Sequence, residues 1–338
     1  MNTIRVIGQV ISCTNYTTPR IFNFNPEPIR DAAEVFLAAG VTEIEIPQGV
    51  LDPDNKFPAE GIDRATLKKT VKMLPKATTV LATYLSPGSV GSDNKAFIDA
   101  TTRTIKYLVE YFPAMNRAML HPPHIKGMTP IQIGEVVRAW AEVADNAARI
   151  QPGFQCSLHN HFDSSCETAD QMRIYLGALR AAAHPALRWG PDTGHCHGMG
   201  DQYLPIFKEN ADLIGNHFHI KSRVAAFDKL HGGAEYRPDR DIWGNKAEIG
   251  SGLYSGFVCC ADPEIQTPFK EVFRIIKAKA RPTDKYITGA IEIDVPRQHP
   301  RLEILCSLLY LKHVHGLQPA QKLSYSAILD RIFKVKKA

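Results

Sequence analysis

Four short clusters of imidazoles and carboxylates stand out from an otherwise ordinary chain: Leu158-His159-Asn160-His161, Pro191-Asp192-Thr193-Gly194-His195, Asn216-His217-Phe218-His219 and Ala290-Ile291-Glu292-Ile293-Asp294. Each closes a short apolar run that reads as a strand, so in a barrel of parallel strands all four open onto one rim. Imidazole nitrogen and carboxylate oxygen are the donors that divalent metals take. A carboxylate inside an apolar strand must be paired or ligating, because burying it alone is costly. Side chains alternate along a strand, so His159 and His161 share a face, as do His217, His219 and Lys221, and Glu292 and Asp294. Gly194 reads as the residue that lets the chain turn sharply after Asp192, bringing a carboxylate and His195 together.

Positioning such groups takes a repeated strand-helix frame, and the sequence supplies one. Strands are expected at Ile4–Ile11, Glu43–Pro47, Thr79–Leu85, Arg117–His121, Gln155–His159, Leu187–Asp192, Gly215–Ile220 and Tyr286–Ile293. Helical periodicity falls at Pro28–Ala39, Asp63–Met73, Asn94–Tyr111, Pro130–Ile150, Ala169–Ala182, Gln202–Asn210, Pro268–Ala280 and Arg301–Val314. Pro28 and Pro130 suit a first helical turn and Thr129 a cap. Eight such repeats without a Pro/Gly/Ser linker predict one α/β domain over residues 1–338, a (β/α)8 TIM barrel, with a doubly wound open sheet as the runner-up. The segment 222–266 breaks the period after the seventh strand. It reads as a lid, a partner surface or a structural excursion over the barrel mouth, with Arg223, His231, Trp243 and the Gly250-Ser251-Gly252 turn inside it.

Composition narrows the function classes. Forty Lys and Arg against 35 Asp and Glu give a net charge of +5, spread along the chain except for Lys334, Lys336 and Lys337, too weak a signal for nucleic acid. No apolar run reaches membrane-spanning length, and Met1 to Val10 lacks the pattern of a secretion signal. The seven cysteines are scattered without a Cys-x-x-Cys pair, which reads as reduced thiols in a cytoplasmic protein. Cys166 and Cys196 lie near the site but read as small core residues. His121 and His124 end the fourth strand and Glu45 the second, where both strands meet the same mouth; His121 and Glu45 are candidate substrate contacts.

Taken with Glu43-Ile44-Glu45-Ile46, His217-Phe218-His219-Ile220-Lys221 and Ile249-Gly250-Ser251-Gly252, the order and spacing of these clusters resemble the xylose isomerase-like TIM barrels. These include sugar isomerases and epimerases, inosose and dehydroshikimate dehydratases and endonuclease IV. The resemblance implies a divalent metal, manganese first with magnesium, cobalt or zinc as substitutes, held by Glu, Asp, His and Glu of strands five to eight. Asp192, His219 and Glu292 match three of those positions. The fifth strand departs from the pattern: either His159 ligates in place of the glutamate, or Glu167 reaches back from the next helix, otherwise serving as a substrate contact.

That departure bears on mechanism. Epimerases of this kind work with two metal-bound glutamates, one on each substrate face, and His159 breaks that symmetry. The resemblance to the dehydratases makes His161 the base, largely neutral near pH 7, with Lys221 where an enolate oxygen would develop and His195 on a substrate hydroxyl or the leaving group. The expected reaction is enolisation beside a carbonyl and loss of a β-leaving group from a keto-sugar or cyclitol. C-glycoside deglycosidases run a related elimination and need a small partner subunit, so a homo-oligomer or a complex with a second subunit is expected. The alternatives are a metal-dependent isomerase or epimerase and a non-catalytic, metal-stabilised barrel subunit. An amidohydrolase would carry His-x-His on the first strand, which here reads Ile4-Arg5-Val6-Ile7. Endonuclease IV needs ligands for three zincs and a basic rim.

Overall fold

Alternating strand and helix signals become a (β/α)8 barrel because parallel neighbours need a crossover, and a helix supplies one that also covers the outer face of the sheet. The computed structural model describes residues 2–10, 24–51, 63–86, 90–161, 164–223, 257–261, 267–293 and 300–320. The strands are β1 (Ile4–Gln9), β2 (Glu43–Pro47), β3 (Thr79–Leu85), β4 (Arg117–Leu120), β5 (Gln155–Leu158), β6 (Leu187–Trp189), β7 (His217–Ile220) and β8 (Ile287–Ile291). Helices α1 (Pro26–Ala38), α2 (Arg64–Met73), α3 (Asn94–Tyr111), α4 (Pro130–Ile150), α5 (Ala169–Ala182), α6 (Tyr203–Asn210), α7 (Phe269–Lys279) and α8 (Pro300–His315) complete the repeat.

The sheet runs β6-β5-β4-β3-β2-β1-β8-β7, every pair parallel. Isolated bridges Trp189↔Ile214 and Asp192↔His219 join β6 to β7. They rest on the N–H groups of Gly215, His219 and Thr193, which donate to Trp189, Pro191 and His219 carbonyls at 3.0, 3.0 and 3.2 Å. The closure therefore passes through two residues expected at the site, Asp192 and His219.

Helix starts follow local chemistry. Thr129 and Thr168 each form a reciprocal capping box, with Gln132 and Gln171, at the heads of α4 and α5. Helix α1 begins at Pro26, two residues before the expected Pro28, because Asn25 takes the cap position and both prolines fit the first turn. Strands β6 and β8 end at Trp189 and Ile291, short of the expected Asp192 and Ile293; past β6 the Asn160 side chain holds the Asp192 backbone, and past β8 the Glu292 N–H still donates to the Ile220 carbonyl at 3.1 Å.

Inside the barrel the layers differ in chemistry. At the N-terminal end of the strands, Arg117 is buried, pairs with Asp284 and donates to Thr288 Oγ1 at 2.8 Å. Arg5 lies 3.4 Å above the Tyr286 ring and 2.8 Å from Glu43. Above this polar plug, Ile7, Ala82 and Ala290 form a small apolar cluster separate from the large one between sheet and helices. The third layer, at the carboxyl ends, is polar again and holds the candidate site.

The segment 222–266 is described only at its margins, where Ser222–Arg223 pairs antiparallel with Phe257–Val258. The lid expectation, with Trp243 and the Gly250-Ser251-Gly252 turn, lies outside the described residues.

Gly190 sits where the barrel leaves no room for a methyl: an added Cβ would lie 2.7 Å from Met119 Sδ and Ser157 Cβ and 2.8 Å from the His217 carbonyl oxygen. Gly190→Ala is expected to cost about 1–3 kcal/mol, measured as a lower urea midpoint; an unchanged midpoint would contradict this interior packing.

Candidate active site

Asp192 follows β6 and is fixed by its neighbours before any ligand is considered. Its N–H donates to Asn160 Oδ1 at 3.0 Å and its carbonyl accepts from Asn160 Nδ2 at 3.2 Å. Carboxylate Oδ1 accepts the N–H groups of Gly194 and His195, each at 2.8 Å. These contacts leave Oδ2 facing the barrel axis. Thr193 ties the same turn to β7, its hydroxyl donating to the Lys221 carbonyl at 2.6 Å and accepting the Lys221 N–H at 2.8 Å. Gly194 does not have the positive φ that a sharp glycine turn would require. Its hydrogen makes room for the Lys221 stem, whose Cγ would lie 2.8 Å from an added Cβ.

His219 is held from below by Glu45, whose two oxygens both lie 3.1 Å from its Nε2. The opposite nitrogen, Nδ1, is 2.8 Å from Glu292 Oε2 and 3.6 Å from Asp192 Oδ2. Asp192 Oδ2, His219 Nδ1 and Glu292 Oε2 are buried, yet no hydrogen bond of good geometry reaches any of them. Buried polar atoms are almost always satisfied, so three buried donor atoms turned toward one another, with only ion-pair contacts among themselves and to Lys221, could hold a cation. His159 Nε2 lies 4.0 Å from Asp192 Oδ2, and the donor atoms of His159, Asp192 and His219 fall within 4.8 Å of one another. The mixed nitrogen and oxygen set suits a divalent metal.

Charge leads to the same place. Glu45, Asp192 and Glu292 are buried carboxylates, whereas Lys221 is the ammonium buried among them, its Nζ 2.9 Å from Glu292 and 3.5 Å from Asp192. Three against one leaves two negative charges in a region where an unpaired charge is costly. A divalent cation offsets both. Without one, burial disfavours the His219 proton, but Glu45 and Glu292 outweigh it and raise that ring well above the usual 6.5. The Glu45 carboxyl, although buried, is brought down to about 2 by His219 and His217.

Beside this acidic half lies an imidazole-rich half. The rings of His161 and His195 stand 3.9 Å apart, His121 lies 4.3 Å from His161, and His124 stacks on His121 at 4.4 Å. Lys221 Nζ is 3.1 Å from His195 Nε2, which joins the two halves. Burial, reinforced by neighbouring imidazoles, holds His121, His159 and His195 well below 6.5.

The structure thus gathers His121, His159, His161, Asp192, His195, His219, Lys221 and Glu292 at one rim. Glu45, expected as a substrate contact, is displaced from that role: it is completely buried, and Gln9, His217 and His219 occupy its oxygens. It lies on the inner face of β2 beneath His219, so it orients that ring rather than meeting solvent. Glu167 is half-buried before α5, its N–H donating to Gln171 Oε1 at 3.0 Å, and belongs to none of the metal-capable groups among the described residues. Asp294 lies outside the described residues. Sequence reasoning gave no role to His217, Gln9, Tyr84 or Asn160. Strand alternation was the available signal: Gln9 follows Ile7, and Tyr84 follows Ala82, at the two-residue step that returns to the barrel interior. Tyr84 packs at 5.5 Å from the His159 ring and 6.0 Å from His219. Cys166 contacts Met172 Sδ at 3.0 Å, and burial pushes the thiols of Cys166 and Cys196 well up, as expected of core residues.

The sequence matches no family model and no curated protein. Solved structures share its fold. A zinc-binding IolI protein superposes with a TM-score of 0.61 at 14% identity, over 92% of this chain and 97% of that one. The probable 3-DHS dehydratase AsbF of Bacillus anthracis gives 0.60 at 16%, over 91% and 98%. The D-allulose 3-epimerase of Methylomonas sp., in complex with D-allulose, gives 0.56 at 15%, over 92% and 96%. The fold is that of the xylose isomerase-like TIM barrels.

Two expectations follow. Glu45→Gln removes the charge that holds His219 and is expected to weaken metal binding about 10- to 100-fold, measured by chelator competition; unaltered affinity would detach Glu45 from the site. For metal-free protein in chelator, stability is expected to peak near pH 6.5. His121, His159, His195 and His217 have lowered folded values, so the unfolded chain binds more protons below that pH and stability falls with acid. His219 has a raised value, so its contribution is complete below 6.5 and is lost as pH rises. Thermal melts across pH 5–9 read this directly, and a flat profile would contradict it.

Proposed function

We propose that this protein is a divalent-metal-dependent lyase acting on a keto-sugar or cyclitol by enolisation beside a carbonyl and β-elimination. The observation that carries the reading is the convergence of Asp192 Oδ2, His219 Nδ1 and Glu292 Oε2 beside imidazoles rather than beside a second free carboxylate. Those three residues, with His159 as a fourth donor, would hold the cation, manganese or a related divalent ion, which when bound supplies Lewis-acid polarisation of the substrate carbonyl.

The protein's own groups do the rest. His161, 7% exposed, is the most accessible ring of the His159, His161, His195 trio and takes the proton from the carbon beside the carbonyl. Lys221 faces the oxygen where charge gathers, and its fixed ammonium stabilises the enolate without reorganisation. Electrons then return from the enolate to form the carbon–carbon double bond, and the bond to the β-oxygen breaks. The proton taken by His161 passes to His195, packed on it and hydrogen-bonded to Lys221, and from there to the departing oxygen, which leaves both rings as they began. A symmetric two-base epimerisation would need a second free carboxylate opposite Glu292; His159 stands on β5 instead, and Glu45 is already engaged below.

The test is a screen of keto-sugars and cyclitols with manganese, following ultraviolet absorbance of an enone together with exchange of carbon-bound hydrogen in heavy water. Enone formation is expected; exchange without an enone would replace the lyase by an epimerase. His161→Ala is expected to keep its metal and lose about a hundredfold or more in turnover, whereas Asp192→Ala loses metal and turnover together. Undiminished turnover in His161→Ala would require another base.

A further inference from the structure

We propose that His159, His161 and His195 form a second cation site, distinct from the carboxylate-rich one, that binds an imidazole-seeking metal such as zinc. The donor atoms of the three residues all lie within 4.8 Å of one another. Their rings stand 3.9, 5.6 and 5.8 Å apart, and the residues are 1%, 7% and 1% exposed. His159 Nδ1 is buried without a hydrogen-bond partner, an unsatisfied donor or acceptor at the junction of the two halves of the site.

The two sets select different metals. Asp192, His219 and Glu292 offer two carboxylates and one nitrogen, a set suited to manganese or magnesium as well as zinc. The trio offers nitrogen alone, which favours zinc and its later first-row neighbours. Three protein ligands leave a fourth tetrahedral position for water. His159 lies within reach of both sets; when it serves the trio in place of acting as the fourth donor, the first site keeps Asp192, His219 and Glu292 and gains an open position.

Electrostatics fixes the order of filling. The first site carries excess negative charge, whereas the trio has no carboxylate and abuts Lys221, whose Nζ is 3.1 Å from His195 Nε2. A cation enters the trio second and at higher concentration. On the reading of His161 as base, which this consequence rests on, a metal there occupies the lone pair that must accept the substrate proton. Excess zinc is therefore an inhibitor that manganese does not imitate.

Metal content of the full-length protein after loading with zinc or cobalt chloride and desalting tests the site. Two equivalents per chain are expected at excess metal, the second cobalt ion giving the strong visible absorption of a tetrahedral nitrogen site. His161→Ala and, separately, His195→Gln are expected to retain one equivalent and to lose that absorption. A single equivalent in the wild-type protein, or two in either variant, overturns the site. Two bound zinc ions with undiminished turnover overturn the inhibition and the base role of His161 while leaving the site in place.

Discussion

Burial of three carboxylates within the carboxyl-end layer of a barrel, with one ammonium to face them, is the constraint around which this structure is arranged. Glu45, Asp192 and Glu292 are carboxyl groups in a region where water reaches little, and Lys221 alone pairs with only part of the set. Such a cluster is stable when a further cation or proton completes it. Burial, reinforced by neighbouring cationic and imidazole groups, holds the His159 and His195 rings well below their ordinary value. The same charge imbalance is what the proposed divalent ion would offset.

The scaffold holds that tension by layering. A polar plug of Arg5, Glu43 and Arg117 seals the N-terminal end, a thin layer with Ile7, Ala82 and Ala290 lies above it, and the ionisable groups are confined to the other end. Small residues in the middle layer let Glu45 and His217 sit deep enough to support His219 from beneath. Clips between adjacent turns, from Asn160 to Asp192 and from Thr193 to Lys221, fix side chains that lie beyond the regular ladder. His219 stands on β7, and the groups just beyond the strand ends are held in place by these clips.

Within a fold shared by proteins named as dehydratase and as epimerase, the choice of reaction rests on a few donor positions rather than on architecture. In this chain the fifth-strand position holds an imidazole, and a second and third imidazole stand beside it. That gives the site a carboxylate side and an imidazole side, joined by the contact of Lys221 with His195.

Much of this was legible in the chain because period and composition act locally. Boundaries of β2, β3, α3, α4 and α5 follow directly from alternation, helical periodicity and capping residues. Asp192, His219, Glu292 and the His159/His161 pair were visible as polar residues ending apolar runs. What the sequence by itself determined was therefore the frame, the rim and the kinds of donor atoms gathered there. Only the tertiary structure decided that Glu45 supports His219 instead of facing the mouth, that Gly194 makes space for Lys221, and that Tyr84 and His217 belong to the site. The physical reason is that these assignments depend on the tilt and stagger of strands far apart in sequence, which bring residues such as 45 and 219 to the same depth and which no local pattern encodes.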